Sequence, residues 1–135
     1  MIGSVLRYVW ALPATMFGLA FALIAVSAGA AVHCVDGVLE VAGGQVGRTL
    51  ARLPASIRFQ AITFGHVILG IDAHALQCAR KHERVHVRQY ERWGLLFFVL
   101  YAGSSLAQWV RGRHPYFDNC FEREAYGRAD ARGKG

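Results

Sequence analysis

Two long stretches without a charged residue constrain this chain of 135 residues more than any other feature. The first runs from Tyr8 to Val32, about 25 residues, and the second from Trp93 to Val110, about 18 residues. A helix of about 20 apolar residues crosses a bilayer core of roughly 30 Å. The first stretch is therefore long enough to span a membrane, whereas the second lies at the lower limit and fits a buried core helix equally well.

The first stretch has two interpretations, an uncleaved anchor or a secretory signal. Ala28-Gly29-Ala30 has the small-x-small form of a cleavage site, and Arg7 supplies a minimal basic region before the apolar run. However, the run is longer than the apolar region of a usual signal, and Trp10 and Pro13 stand near its start. We therefore expect an uncleaved anchor over residues 1–32, with a cleaved signal and a secreted or periplasmic domain as the alternative.

The formal net charge of +6 comes from basic residues that surround the two apolar stretches. They are Arg48, Arg52, Arg58, Arg80, Lys81, Arg84, Arg88 and Arg92 in the middle, and Arg111, Arg113, Arg123, Arg128, Arg132 and Lys134 in the tail. No nucleic-acid motif accompanies this charge, so we expect no nucleic-acid partner. Basic segments beside an anchor indicate a cytoplasmic orientation and contact with anionic membrane lipid.

The three cysteines predict neither a disulfide framework nor a thiolate metal site. Cys34, Cys78 and Cys120 are odd in number and irregular in spacing, and no pair has CxxC spacing. A structural disulfide is therefore not expected.

The middle of the chain carries turn and strand signals. Asp36-Gly37 stands between β-prone residues and predicts a short hairpin. The segment Gln45–Ser56 is predicted to be irregular, since Pro54 excludes a central strand position. Residues 57–71 are rich in β-branched and aromatic side chains and predict a strand or strand pair with a bend at Gly65 or Gly70.

Two helices are predicted in the second half. Asp72 is a good N-cap and Gly94 a good C-cap, and no Pro or Gly lies between them. Asp118 or Asn119 is expected to cap a last helix that runs to about Ala131. The chain is therefore predicted to be an α+β protein with a short β-sheet.

The longer of these helices carries the segment His82-Glu83-Arg84-Val85-His86, an HExxH motif. Residues four apart lie on one face of a helix, so the two imidazoles can hold one Zn²⁺. Glu83 lies beside them, where it can take a proton from a water molecule. Three fixed positions also arise by chance, about once in a hundred chains of this kind, so the surrounding sequence must support the motif.

A catalytic zinc needs a third protein ligand. The pattern HExxHxxGxxH fails, because Gln89 stands at the Gly position and Arg92 at the last His position. Carboxylates of the last helix remain, and Glu122 and Glu124 are the candidates. Their side chains point about 200° apart on a helix, so both cannot face the metal. A shared site with His82 also requires that the second apolar stretch does not cross the bilayer.

The pairing of HExxH with Glu122-Arg123-Glu124-Ala125 resembles the gluzincin metallopeptidases, in which an ExxA-type helix follows the motif. The segments Trp-Ala-Leu-Pro, Gly-His-Val-Ile-Leu, His-Glu-Arg-Val-His-Val-Arg-Gln-Tyr-Glu-Arg-Trp-Gly and Asn-x-Phe-Glu-Arg-Glu-Ala-Tyr resemble small bacterial membrane-associated proteins of that kind. The resemblance implies a minimal zincin-like domain over residues 33–135, with a zinc ion held by His82, His86 and Glu122. Tyr126 departs from the pattern, since gluzincins often have an Asp there that orients a ligand histidine.

This resemblance implies hydrolysis of a peptide or protein substrate at the inner membrane, with Glu83 as the general base. An edge strand within Ile62–Leu69 is a candidate for pairing with an extended substrate. The alternative is a small membrane protein without enzymatic activity, in which zinc is structural or the site is vestigial.

Several of these residues also have an ordinary structural interpretation. Glu122 fits a capping box with Asn119. His66 is expected to be a core or edge histidine rather than a ligand. Aromatic packing is the favoured role of Tyr116 and Tyr126, with hydrogen bonding to an oxyanion as the alternative.

Overall fold

Most of the first apolar stretch lies in one long helix, and its last residues enter the first strand. The computed structural model describes residues 2–54 and 59–133. Along these residues the elements are α1 (Ile2–Ser27), β1 (Ala31–Val35), β2 (Val38–Ala42), α2 (Gly44–Ala51), β3 (Ala61–Phe64), β4 (Val67–Gly70), α3 (Ala73–Trp93), α4 (Leu96–Val110) and α5 (Cys120–Gly133). The α+β class predicted from the sequence is confirmed.

The four strands form one sheet in the order β1-β2-β4-β3. Asp36 and Gly37 connect β1 to β2 with positive φ angles of 48° and 75°, as a tight hairpin turn requires. Gly65, with φ of 59°, makes the bend between β3 and β4. Both hairpins are antiparallel, and β2 pairs with β4 in parallel. The predicted hairpin and the predicted bend at Gly65 are confirmed, while residues 57 and 58 of the predicted strand segment lie outside the described residues.

The prediction that Gln45–Ser56 is irregular is wrong, because α2 occupies Gly44–Ala51. Glycine is a poor helix former, and this short helix contains two of them, so local propensity argues against it. Gly47 is buried directly against the backbone of Ile71, where a larger residue would not fit. Tertiary packing therefore decides the conformation of this segment, of which residues 55 and 56 lie outside the described part.

The sheet lies between α1 on one face and α3 on the other. Because side chains alternate along a strand, Val41 and Val67 pack against Ala22 and Ala25 of α1. On the opposite face, a second cluster joins Val38 and Ile68 to Leu76 and Val87 of α3. This packing fixes the position of α3 on the sheet and the face that α3 turns towards it, and α3 carries the HExxH motif.

Helix α1 approaches the domain through a row of small residues. The buried residues are Ala11, Ala14, Gly18, Ala22 and Ala25, spaced three or four apart on one face. The opposite face is apolar and exposed. With 26 residues and no charge after Arg7, α1 is long and apolar enough to cross a membrane. It is thus both a candidate membrane helix and a packed element of the fold.

The second apolar stretch is divided between two helices. Gly94, with φ of 57°, ends α3, and α4 begins at Leu96 after a bend of 116°. Phe97 joins a buried cluster with Ala11, Ala14 and Tyr90. Since α4 has 15 residues, its length of about 22 Å is shorter than a bilayer core. A metal site shared by His82 and a carboxylate of the last helix requires that this stretch does not cross the bilayer.

Candidate metal centre

Helix α3 turns His82 and His86 towards the last helix and Glu83 towards β3. The predicted helix between Asp72 and Gly94 is confirmed, and the Asp72 carboxylate accepts a hydrogen bond of 2.7 Å from the Ala75 backbone N–H. Of the motif residues, Glu83 and His86 are buried and His82 is partly buried. His82 and His86 therefore lie one turn apart on the same face of α3, as their spacing of four residues predicts.

Helix α5 brings Glu122 to the two histidines. Asn119 is completely buried, and its Oδ1 atom accepts a hydrogen bond of 2.9 Å from the Phe121 backbone N–H. The Asn119 side-chain amide also donates to the Tyr101 carbonyl and the Ser105 hydroxyl of α4. These bonds fix the first turn of α5 against α4. The capping-box interpretation of Glu122 fails, because its carboxylate points to the histidines.

The candidate ligand atoms of these three residues lie close together. Nε2 of His82 is 2.9 Å from Oε2 of Glu122, and Nε2 of His86 is 3.3 Å from Oε1 of the same carboxylate. The two Nε2 atoms are 3.1 Å apart. Tetrahedral zinc with ligand bonds of about 2.0–2.1 Å separates its ligand atoms by about 3.3 Å. The residues present therefore fit a zinc ion in both donor type and spacing.

Two buried polar atoms at this centre make no hydrogen bond among the described residues, Glu122 Oε2 and His82 Nδ1. The nearest polar atom to this carboxylate oxygen that the structure gives is Nε2 of His82, at 2.9 Å. An unsatisfied buried carboxylate oxygen is costly, and a bound cation removes that cost. Glu122 Oε2 is thus oriented as a ligand atom.

The electrostatics of the centre favour an ionised carboxylate. Burial alone would raise the pKa of Glu122, but contact with the His82 and His86 imidazoles outweighs burial and holds this pKa well below its usual range. Burial alone would lower the pKa of His86, but the carboxylates of Glu122 and Glu83 raise it above its ordinary value. The centre therefore stabilises the ionised form of the Glu122 carboxylate.

Glu124, the alternative third ligand, lies away from the centre. Its carboxylate accepts a hydrogen bond of 2.9 Å from the Gln89 side chain and pairs with Arg128 at 2.8 Å. Glu122 and Glu124 thus point in different directions, as their helical spacing predicts. The geometry brings Glu122, and not Glu124, to the two histidines.

Gln89 supports the centre in a way that the sequence did not reveal. Its Oε1 atom is 2.8 Å from Nδ1 of His86, and its side-chain amide donates to the Phe121 carbonyl and to Glu124. A hydrogen bond at Nδ1 fixes the tautomer that leaves Nε2 available as a ligand atom. The sequence hint of this contact is that Gln89 stands three positions after His86, which places the two side chains on one face of the helix.

Replacing Gln89 with Leu should weaken metal binding without abolishing it. The substitution removes the partner of His86 Nδ1, and loss of such a partner typically costs about 10–100-fold in metal affinity. Competition with a chelating zinc indicator would measure this change. Glu124→Gln, which keeps a hydrogen-bonding side chain beside Gln89, is the matched control and should change affinity less than about threefold. Equal affinities in Gln89→Leu and wild type would show that Gln89 does not orient His86.

His82 is supported differently. No described residue bonds to its Nδ1 atom, and the ring of Tyr126 packs on the imidazole with centroids 4.4 Å apart. Tyr126 thus contributes an aromatic contact to His82. Tyr116 lies next to Tyr126, with hydroxyl oxygens 3.4 Å apart. The packing interpretation of these two tyrosines therefore matches their contacts.

Two further hydroxyls orient carboxylates at the centre. Tyr101 of α4 donates a hydrogen bond of 2.6 Å to Glu122 Oε1. Thr63 of β3 donates one of 2.7 Å to Glu83 Oε2. Neither residue belongs to the motif or stands near it in sequence, so only the folded chain reveals them.

His66 and the cysteines lie outside the centre. His66 is buried, stacks on Tyr8 with centroids 4.0 Å apart, and lies 3.0 Å from the carboxylate of Glu91. It therefore has the structural role that the sequence favoured. The three cysteines are exposed and form no disulfide, as predicted.

Comparisons with models of protein families, with curated protein sequences and with solved structures gave no match. The chemistry of this centre is therefore inferred from its own donor atoms and their surroundings.

Proposed function

We propose that this protein is a membrane-attached zinc metallopeptidase of the gluzincin type, with a minimal zincin-like fold. The observation that carries the proposal is the convergence of His82, His86 and Glu122, with the motif carboxylate of Glu83 on the same helix. Two imidazoles and one carboxylate are a ligand set typical of catalytic zinc, with a fourth position available to water. The exposed cysteines supply no competing thiolate site.

Zinc bound by these residues would supply a Lewis acid that polarises a peptide carbonyl and lowers the pKa of water. Glu83 is then the general base: its carboxylate accepts the proton of the attacking water and returns it to the leaving amine nitrogen. The Thr63 hydroxyl holds Glu83 Oε2, which leaves Oε1 for this proton transfer. The Tyr101 hydroxyl holds Glu122 in its ligand orientation.

An extended substrate is proposed to pair with β3. This strand lies at the edge of the sheet, and Thr63 links it directly to Glu83. Main-chain pairing at such an edge would place a peptide beside the general base. Of the predicted segment Ile62–Leu69, only the β3 part is at the edge, because β4 lies between β2 and β3.

Membrane attachment is proposed to occur through an uncleaved α1. The Tyr8 hydroxyl donates to the Gly37 carbonyl, its ring stacks on His66, and Ala22 and Ala25 are buried against the sheet. Cleavage after Ala30 would remove all of these contacts and expose one face of the sheet. The basic flanks favour a cytoplasmic orientation at a bacterial inner membrane, in contact with membrane lipid.

A second candidate function is a structural zinc in a protein without enzymatic activity. The observation that favours it is the closure of the centre: His86 is 7% exposed, Glu83 6% and Glu122 3%. A small fold also gains stability from a metal that joins two helices, here α3 and α5.

The substitution Glu83→Gln distinguishes the two candidates. If Glu83 is the base, the variant should retain zinc while its hydrolysis of quenched-fluorescence peptides falls by at least about 100-fold, because a general base typically contributes 10²–10⁴-fold. The reconstituted full chain is the sample, and Glu91→Gln on the same helix is the matched control. Stoichiometric zinc without hydrolysis in the wild type would favour the structural site.

A further inference from the structure

A shallow basic pocket lies where α1, α3 and α5 meet. It has a volume of about 250 Å³, and four arginines contribute to its lining, Arg7, Arg88, Arg92 and Arg128. Two carboxylates, Glu91 and Glu124, also line it, so four positive charges against two negative ones leave a net charge of +2. The pocket therefore favours an anion.

The two carboxylates of the pocket neutralise part of its positive charge. Glu91 lies 3.0 Å from His66 Nε2 and 3.8 Å from Arg7. Glu124 accepts from Gln89 and pairs with Arg128. The exposed Arg88 and Arg92 stand one turn apart on α3, where their side chains lie on one face of the helix. Two guanidiniums at this spacing suit the oxygens of one phosphate group.

The pocket lies at the boundary between polar and apolar surface on two separate segments. Along α1 the order is Arg7, then Trp10, then charge-free sequence to the end of the helix. From α3 into α4 the order is Arg92, then Trp93, then charge-free sequence to Val110. The two boundaries meet in space, because Gly94 packs directly against the Trp10 indole.

This sequence of charge, tryptophan and apolar surface is typical of a membrane interface, where indole rings lie at the level of the headgroups. Trp10 is 51% exposed and Trp93 37% exposed, so both rings reach the surface. Beyond them, the outer faces of α1 and α4 present exposed apolar residues, among them Met16, Phe17 and Val99. The basic pocket therefore opens at headgroup level, beside an apolar surface suited to acyl chains.

We propose that this pocket binds the phosphate of an anionic phospholipid, with Arg88 and Arg92 as the principal contacts. The inference rests on the membrane attachment proposed above and is independent of the peptidase activity. It assigns a specific lipid site to the end of α1, rather than a diffuse attraction between the basic chain and the membrane.

The test uses the full chain in a neutral detergent, titrated with short-chain phosphatidylglycerol, phosphatidylcholine or inorganic phosphate and followed by thermophoresis. Wild type should bind phosphatidylglycerol at least about tenfold more tightly than phosphatidylcholine, because each arginine near an anionic headgroup contributes favourably. Arg88→Gln with Arg92→Gln should remove most of that preference. The control, Arg111→Gln with Arg113→Gln, makes the same change of charge at the far end of α4, outside the pocket lining, and should keep it.

Equal loss in the two double variants would overturn the pocket in favour of a diffuse charge effect. Binding of inorganic phosphate as tight as that of the lipid would overturn the lipid assignment. Zinc content and thermal unfolding, measured on the same samples, show whether the variants are folded. Since neither arginine is a proposed ligand, zinc should stay bound whichever result is obtained.

Discussion

Purified protein supplied with zinc is expected to hold about one zinc ion per chain, and His86→Ala and Glu122→Ala are each expected to reduce the load to below about a tenth of that. Each variant leaves two of the three ligands, and a three-ligand site loses most of its affinity with one of them. Elemental analysis after gel filtration would measure the load. Glu124→Ala is the matched control, since it removes a carboxylate two residues away on the same helix.

The control should retain its zinc, because the Glu124 carboxylate points to Gln89 and Arg128. Zinc kept in Glu122→Ala but lost in Glu124→Ala would exchange the roles of the two carboxylates and contradict the geometry of α5. Absence of zinc in the wild type would end the metallopeptidase proposal altogether. The lipid site would remain testable, since none of its contacts is a ligand.

Replacing Gly18 with Leu is expected to cause the largest loss of stability. A Cβ atom at this position would lie 2.7 Å from Val67 Cβ and 2.9 Å from the Phe64 carbonyl oxygen, so α1 must move away from the sheet. Overpacking of this kind costs about 1–3 kcal/mol or more, and separation of α1 would add the loss of buried apolar area. Thermal unfolding in detergent, followed by circular dichroism, would measure the effect.

The matched control for this variant is Gly3→Leu. Gly3 lies in the same helix, with nothing within 4 Å of an added Cβ. Because leucine is a better helix former than glycine, this variant should be neutral or slightly stabilising. Equal unfolding temperatures for the two variants would show that α1 does not pack on the domain, and would favour a cleaved or freely spanning first helix.

The elements with strong local signals were predictable because their signals are short-range. Asp72 caps the start of α3 and Gly94 its end. Asp36-Gly37 makes a tight turn because both residues accept positive φ angles. Helix α2 was not predictable, because its Gly47 packs against the backbone of Ile71, which lies between β4 and α3. The low helix propensity of its glycines disfavours a helix in this segment, but packing against the rest of the fold stabilises one.

The candidate site also has a part that short-range signals predict and a part that depends on tertiary contacts. The spacing of His82, Glu83 and His86 is a property of one helix, and the candidacy of Glu122 or Glu124 follows from the need for a third ligand. The support from Gln89 was within reach of the sequence, as a residue three positions after His86. Its contact with His86 lies within α3, whereas its contacts with Phe121 and Glu124 depend on where α5 lies.

Local sequence signals predicted an N-terminal helix without charge after Arg7, a hairpin, a helix carrying HExxH and two candidate carboxylates. Each of these depends on residues at most a few turns apart, so local preferences suffice. Three features become visible only in the folded chain: Glu122 faces the histidines, Thr63 and Tyr101 orient the carboxylates, and α1 packs against the sheet. These contacts join residues from separate elements, and their geometry is set by how the small-residue face of α1, the sheet and α3 bury one another.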